Sequence, residues 1–250
     1  MPNNPLEQLV ANLELRSPLS KSDREAILAL PYTLKSLAPG SYAVREGEPP
    51  SGCGVLVSGF AYRQKLTGDG GRQILSIHIP GEALDFQNIF LNVADHSVQM
   101  LTRGHLAVVP RAEIQAIARH SASIGHAILV STLVESSIFR EWILNVGRRD
   151  AKSRLAHVLC ELAVRLDAHS LTDDMGYHLP MTQAELADAL GLTPVHLNRV
   201  IRSLETDGLI NRSKRDISFP DWERMRDIAD FNDRYLHLAV QESAQLVANA

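Results

Sequence analysis

Arg199, Arg202, Arg212, Lys214 and Arg215 crowd the stretch from Gly191 to Arg215, opposed there only by Glu205 and Asp207. Guanidinium and ammonium groups at this density can bind phosphate oxygens. A guanidinium can also present two parallel N–H donors to one base edge. The whole chain has a net charge of −4, so the positive field is local. A local field is sufficient where phosphates approach. The other reactive residue types are scattered. There are ten histidines, but no pair has a clean ligand spacing with a third partner, so no metal site is expected. Cys53 and Cys160 are far apart and in no CxxC pair. That argues against a disulfide framework or a cysteine-ligated cluster and fits a reducing cytosol. No G-x-S-x-G elbow is present for serine catalysis. Gly68-Asp69-Gly70-Gly71 has no following Gly-Lys-Ser/Thr, so it predicts a hairpin turn and no phosphate loop. No constellation for an enzyme is found.

The elements around the cations have legible signals. Thr182-Gln183-Ala184-Glu185 is a capping box opening a helix to about Leu190. Gly191 ends that helix, because glycine enters a left-handed conformation cheaply. Thr193 caps a second helix with Pro194 at its first position, where a missing N–H costs nothing. Ala187 falls where the two helices cross, and Leu197, Val200, Ile201 and Leu204 point inward. After Gly208, Leu209-Ile210 and Ile217-Ser218-Phe219 are predicted strands flanking the basic turn Asn211–Asp216. Together these read as a winged helix-turn-helix, with duplex DNA as the partner. Val195, His196, Asn198 and Arg199 are the exposed start of the second helix and candidate base readers. Arg199 suits guanine O6 and N7, and Asn198 or His196 an adenine edge or a phosphate. Thr182, Thr193, Arg202 and Lys214 are candidate phosphate contacts. A plain αα-hairpin followed by a β-hairpin is the bland alternative.

Elsewhere the chain predicts an α+β protein. Residues 6–30 are helical, with Ser22 expected to cap Asp23–Leu30. From about Leu34 to Pro110, short β runs separated by Gly turns argue for a β-roll or jelly-roll barrel. Helix returns at 110–119 and again from 121 to 148. The latter is apolar all round, with Ile124, Ile128 and Trp142 on one side and Leu129, Leu133 and Leu144 on another. Such a helix must be covered on every side. One side suits the β domain. The other suits a second copy across a two-fold axis, with Leu129, Leu133, Ser136 and Leu144 as the dimerisation residues. Gly147–Asp150 reads as a hinge, and a further helix from Ala151 to His169, with Leu155, Val158, Leu159, Leu162, Ala163 and Leu166 as an apolar stripe, leads into the DNA-binding part. After the wing, Asp221 caps a last helix carrying Met225, Ile228, Phe231 and Tyr235. The expected division is 1–119 (N-terminal helices and β-roll, an effector-type domain), 120–147 (dimerisation helix), 148–237 (winged helix-turn-helix) and 238–250 (tail). The N-terminus has no basic start followed by an apolar run, and the apolar stretch 121–134 is short for a bilayer and contains His126. A cytoplasmic protein with no membrane partner is therefore expected.

A β-roll, a long helix and a winged helix-turn-helix in this order resemble the Crp/Fnr family of bacterial transcription regulators. The resemblance covers roughly residues 20–235. It rests on Tyr42–Glu48 with Gly54–Gly59, on Arg72–Leu75 with Pro80-Gly81-Glu82, and on Leu186-Ala187 with Gly191-Leu192-Thr193. It implies a homodimer on an inverted-repeat operator and contact with RNA polymerase in the case of an activator. Family members commonly have Glu where Val195 stands; a Glu accepts from cytosine, whereas Val can only touch a thymine methyl. The resemblance also implies an effector pocket containing Glu82, His96 and Ser97. Cyclic-nucleotide binders of the family follow Gly-Glu with an Arg and then Ser or Thr. Here Asp95-His96-Ser97 has His for that Arg, and imidazole is a poor substitute for a permanent bidentate fork. A cyclic nucleotide is therefore not the expected effector. The N-terminal iron–sulfur cysteine cluster of the family's oxygen-sensing branch is missing, so no cofactor is expected. The competing function is a β-roll sensor whose winged domain contacts protein, which salt-dependent binding to duplex DNA would separate from a DNA reader.

Overall fold

Side-chain alternation sorts the strand residues into two cores. Cys53, Val55 and Val57 join Ala107 and Val109 in a cluster with the helical residues Leu9, Leu13, Ile27, Ile114, Ile124 and Ile128. Leu56 and Leu106, on the opposite face, join Ala61, Leu84, Val98 and Met100. This period of two is what a strand covered on both faces produces. The computed structural model describes residues 4–172 and 176–238, so the expected tail lies outside it except for Leu238. Two units are present. One comprises the chain up to Gln64 with Ile77–Ser136; the other comprises Lys65–Ser76 with Ser137–Leu236.

The first unit opens with α1 (Glu7–Glu14) and α2 (Lys21–Leu28). Ser20, not the expected Ser22, caps α2: its hydroxyl accepts from the Asp23 amide and the Asp23 carboxylate accepts from the Ser20 N–H. Asp23 also receives the Ser121 and Ser123 hydroxyls, each at 2.7 Å. The hydroxyls of Ser20, Ser121 and Ser123 hold its carboxyl well below the usual range. The strands are β1 (Thr33–Leu37), β2 (Tyr42–Val44), β3 (Gly52–Ser58), β4 (Ala61–Leu66), β5 (Arg72–His78), β6 (Ser97–Met100) and β7 (Gly104–Pro110). They form two sheets, β1-β7-β3 and β2-β6-β4-β5. The register sets Val55 opposite Ala107 and Cys53 opposite Val109. β6, four residues long, takes up Ser97, expected from sequence in a pocket segment.

After β7 come α3 (Arg111–His120) and α4 (Ala122–Arg148). α4 gives its first half to one unit and its second half to the other. In the first half Ile124, Ala127, Ile128 and Val134 are buried, while Leu129 and Leu133 are 58% and 55% exposed. In the second half Ile138 and Trp142 are buried, while Ile143 and Leu144 are exposed. By length and composition alone α4 could cross a bilayer. Its inner face, however, belongs to a protein core, with Ile124 and Ile128 packed among the β-roll residues.

The second unit contains α5 (Ala151–Ala168), β8 (Tyr177–His178), α6 (Gln183–Leu190), α7 (Pro194–Thr206), β9 (Asn211–Ser213), β10 (Asp216–Ser218) and α8 (Trp222–Ala229). α5 buries the expected stripe of Leu155, Val158, Leu159, Leu162 and Leu166. The last helix is shorter than the sequence pattern predicts. Asp230 enters the left-handed region (φ +49°) and ends α8, so Phe231 and Tyr235 lie beyond it, Tyr235 in a 3-10 turn. The carbonyl and carboxylate of Asp230 accept from Arg149 instead, at 3.1 and 3.3 Å. The expected hinge is therefore pinned: Arg149 also pairs with Glu141 at 2.6 Å.

Candidate nucleic-acid interface

α6 begins as the capping box requires. Thr182 Oγ1 accepts from the Glu185 amide at 3.2 Å, and a Glu185 carboxylate oxygen accepts from the Thr182 N–H at 2.7 Å. Gly191 closes the helix with φ +62°, a conformation that would cost a side-chain-bearing residue roughly 1 kcal/mol. Thr193 caps α7 by accepting from the His196 amide at 3.2 Å, and Pro194 occupies its first turn. Leu197, Val200, Ile201 and Leu204 are buried and fix the helix against its neighbours. What remains faces outward. Val195, Arg199 and Arg202 lie at i, i+4 and i+7, so they share one stripe, and all three are exposed, Val195 to 64%. His196 is exposed beside them. Asn198 is half-buried, and its Nδ2 donates to Gln183 Oε1 at 3.1 Å, tying α7 to α6.

The wing lies on the same unit. β9 and β10 pair antiparallel, with Ser213 opposite Asp216, and β10 also pairs with β8, giving the order β8-β10-β9. The first strand starts later than expected and the second one residue earlier: Leu209 and Ile210 are a buried lead-in, and the turn shrinks to Lys214-Arg215. Lys214 has φ +56°, the left-handed conformation of a tight hairpin. Arg212 Nε meets Glu205 of α7 at 3.0 Å and so braces the wing against the helix. Arg199, Arg202, Lys214 and Arg215 have no ion-pair partner among the described residues. They are exposed cations available to an external anion.

Several residues beyond those expected from sequence also hold this surface. The Asp150 carboxylate accepts from the Lys152 and Ser153 amides, capping α5, and those hydrogen bonds lower its pKa. Lys152 pairs with Asp207 at the end of α7, which lowers the Asp207 pKa. Arg154 donates to the Leu190 carbonyl at the end of α6. Arg72 and Asp188 of α6 pair at 2.6 Å. The Asp150 cap is local to α5; the other contacts depend on segments brought together by folding.

In the first unit the three proposed pocket residues each have their own partners. The Glu82 carboxylate meets the His78 ring and accepts from the Ile79 amide, both at 3.3 Å. Ser97 Oγ accepts from the Glu46 amide at 3.0 Å. His96 is buried between two carboxylates, Asp95 at 2.7 Å and Asp85 at 3.2 Å. None of the three lines the cavity of about 210 Å³ between the sheets, whose walls include Leu37, Leu84, Leu106 and Val108. The buried cation here is Arg63 of β4, an unexpected finding. It donates to Glu135 of α4 and to the Leu84 carbonyl and lies 3.8 Å from Asp85. The imidazole that stands where the family has Arg is flanked by negative charge, and the nearby guanidinium is held by carboxylates. Cys53 and Cys160 are both buried, and loss of solvation pushes each thiol up to about 12. Among the described residues no group of three or more His, Cys, Asp or Glu side chains could hold a metal.

Comparison with known proteins agrees with this architecture. A cyclic nucleotide-binding domain matches residues 34–121, and a Crp-like helix-turn-helix domain matches residues 153–228. The transcriptional activator protein FnrL of Cereibacter sphaeroides is 26% identical over 216 residues, covering 84% of this chain and 86% of the relative. The nitrogen fixation regulation protein FixK of Rhizobium meliloti is 27% identical, covering 80% and 89%. Among solved structures, FixK2 from Bradyrhizobium japonicum superposes with a TM-score of 0.74 at 24% identity, covering 80% of this chain and 98% of that one. The two domain matches occur in the family's order, and the relatives align along most of their length. The chain therefore belongs to the Crp/Fnr family of DNA-binding transcription regulators.

Proposed function

We propose that this regulator acts in the cytoplasm as a homodimer that reads an inverted repeat, without a catalytic step and without a cyclic nucleotide as effector. The observation that carries the DNA-reading part is the outward stripe Val195, Arg199 and Arg202 on a capped, buried-backed helix, with unpaired wing cations on the same unit. In this reading Arg199 contacts a guanine edge, Val195 touches a thymine methyl or nothing, and His196 meets a base edge or a phosphate. Asn198, already bonded to Gln183, positions α7 and has donor capacity left for DNA. Thr182, Thr193, Arg202 and Lys214 hold phosphates.

The dimer part is supported by α4, whose Leu129, Leu133 and Leu144 remain exposed while its other face is buried. Ser136, half-buried on α4, is the small residue of that seam. If the protein activates, RNA polymerase is the further partner. The effector part is supported by the carboxylates around His96. The test is anisotropy of a labelled duplex against salt. Each phosphate contact should contribute a slope of about −0.9 in log affinity against log salt. Binding that does not weaken with salt would reject the DNA interface.

A further inference from the structure

Under the wing lies a cavity of about 450 Å³ that DNA binding does not require. Its walls come from four elements: Leu155 of α5, Leu186 of α6, Ile201 of α7 and Ile217 of β10, all buried. Its rim carries Arg212, Lys214 and Arg215. Protein interiors are normally packed to crystal density, so apolar walls facing open space give up dispersion contacts. The volume falls within the roughly 300–1,000 Å³ typical of small-molecule sites, which also combine apolar walls with a few polar groups. The charge at the rim is one-sided. The carboxylates nearby are committed elsewhere: Glu185 to the Thr182 cap, Asp216 to His178 and Glu205 to Arg212. That leaves Lys214 and Arg215 facing an apolar hole without a counter-charge.

We propose that this cavity binds an amphipathic carboxylate, its apolar tail among the leucines and isoleucines and its carboxylate on Lys214 and Arg215, and that this occupant opposes DNA. A neutral apolar molecule would leave the rim charges unanswered, and a small inorganic anion would leave the walls bare. The opposition to DNA rests on the reading above, in which Lys214 meets a phosphate. One cation cannot serve a carboxylate and a phosphate fully at once, so each ligand weakens the other by the same factor.

Calorimetry on the full chain without DNA tests the site independently of any DNA result. The probes are submicellar decanoate, decanol and acetate. Decanoate should bind at least roughly tenfold tighter than decanol, as loss of a charge-assisted contact implies, and acetate should not bind. Leu179→Trp, at the cavity wall, should abolish decanoate binding while the variant binds DNA as the wild type does. If that variant does not fold, Lys214→Ala serves: decanoate should weaken roughly tenfold and decanol should not change. Decanoate binding no tighter than decanol, or unaltered in both variants, would overturn the site. Decanoate binding that leaves DNA affinity unchanged would overturn the antagonism. Failure of the untreated protein to bind any duplex would instead be a failure of the DNA reading.

Discussion

Replacing both Leu129 and Leu133 by Ala should dissolve the proposed dimer without unfolding the subunit. The two side chains are 58% and 55% exposed on α4. Complete burial of a leucine contributes about 1.5–3 kcal/mol. Covering the exposed half, less the methyl that Ala retains, leaves about 1 kcal/mol per side chain. A two-fold interface contains each residue twice, so four truncations cost about 4 kcal/mol, close to a thousandfold in dimer Kd. Both residues face outward within their own subunit, so its circular dichroism and melting cooperativity should stay as they are. Sedimentation equilibrium over a concentration series reads the shift directly. Leu133→Asp should act more strongly still, because it puts a charge into a desolvated seam. A wild type that is monomeric at micromolar concentration, or a double variant with less than a tenfold change, would refute the reasoning.

Three further outcomes follow from groups that the fold shields or pairs. The Glu141 carboxyl is held below its ordinary value first by His157 and then by Arg149. Its stabilising effect is therefore present above the unfolded carboxyl value of about 4.3 and is lost as pH falls through the lower folded value. Glu141→Gln should flatten the fall of Tm below about pH 4.3 relative to wild type; an identical slope would count against the pairing. The thiols of Cys53 and Cys160, pushed up to about 12 by burial, should not react with a disulfide reagent at pH 8 until denaturant is added; rapid labelling of either in the native protein would contradict their burial. Calorimetry with cyclic AMP and cyclic GMP should show no binding tighter than about 10 µM, near −7 kcal/mol; a tighter isotherm would mean that the carboxylates around His96 do not exclude the phosphate.

Local signals were readable wherever one residue type enforces one backbone state. Thr182, Gly191, Thr193 and Pro194 each act within one turn of their own position, and all four occupy the capping roles that their types predict. The α5 stripe and the two-sided composition of α4 were legible for a similar reason, because helical spacing alone sorts their faces. The pocket segment was less legible. Asp95-His96-Ser97 reads as a stand-in for a ligand motif. Folding instead turns His96 toward Asp85 and draws Ser97 to Glu46, fifty-one residues away. Arg63 gave no warning, since a basic residue in a β run normally points to solvent, whereas every residue of Ala61–Gln64 is buried. The end of α8 was missed because Asp230 lacks the glycine that usually marks a left-handed stop.

The most direct test of a dimeric DNA reader is selection from a random duplex library, run in parallel with wild type and with Arg199→Ala. The wild type should enrich an inverted repeat whose half-sites are about 10 bp apart or slightly more, one helical turn, because two recognition helices enter successive major grooves on one face. Arg199→Ala should keep the repeat, lose preference at one base pair in each half-site, and bind about 1–3 kcal/mol more weakly. No enriched motif, or a single asymmetric site in the wild type, would contradict the account. An unchanged motif with uniformly lower affinity in the variant would remove Arg199 from base reading.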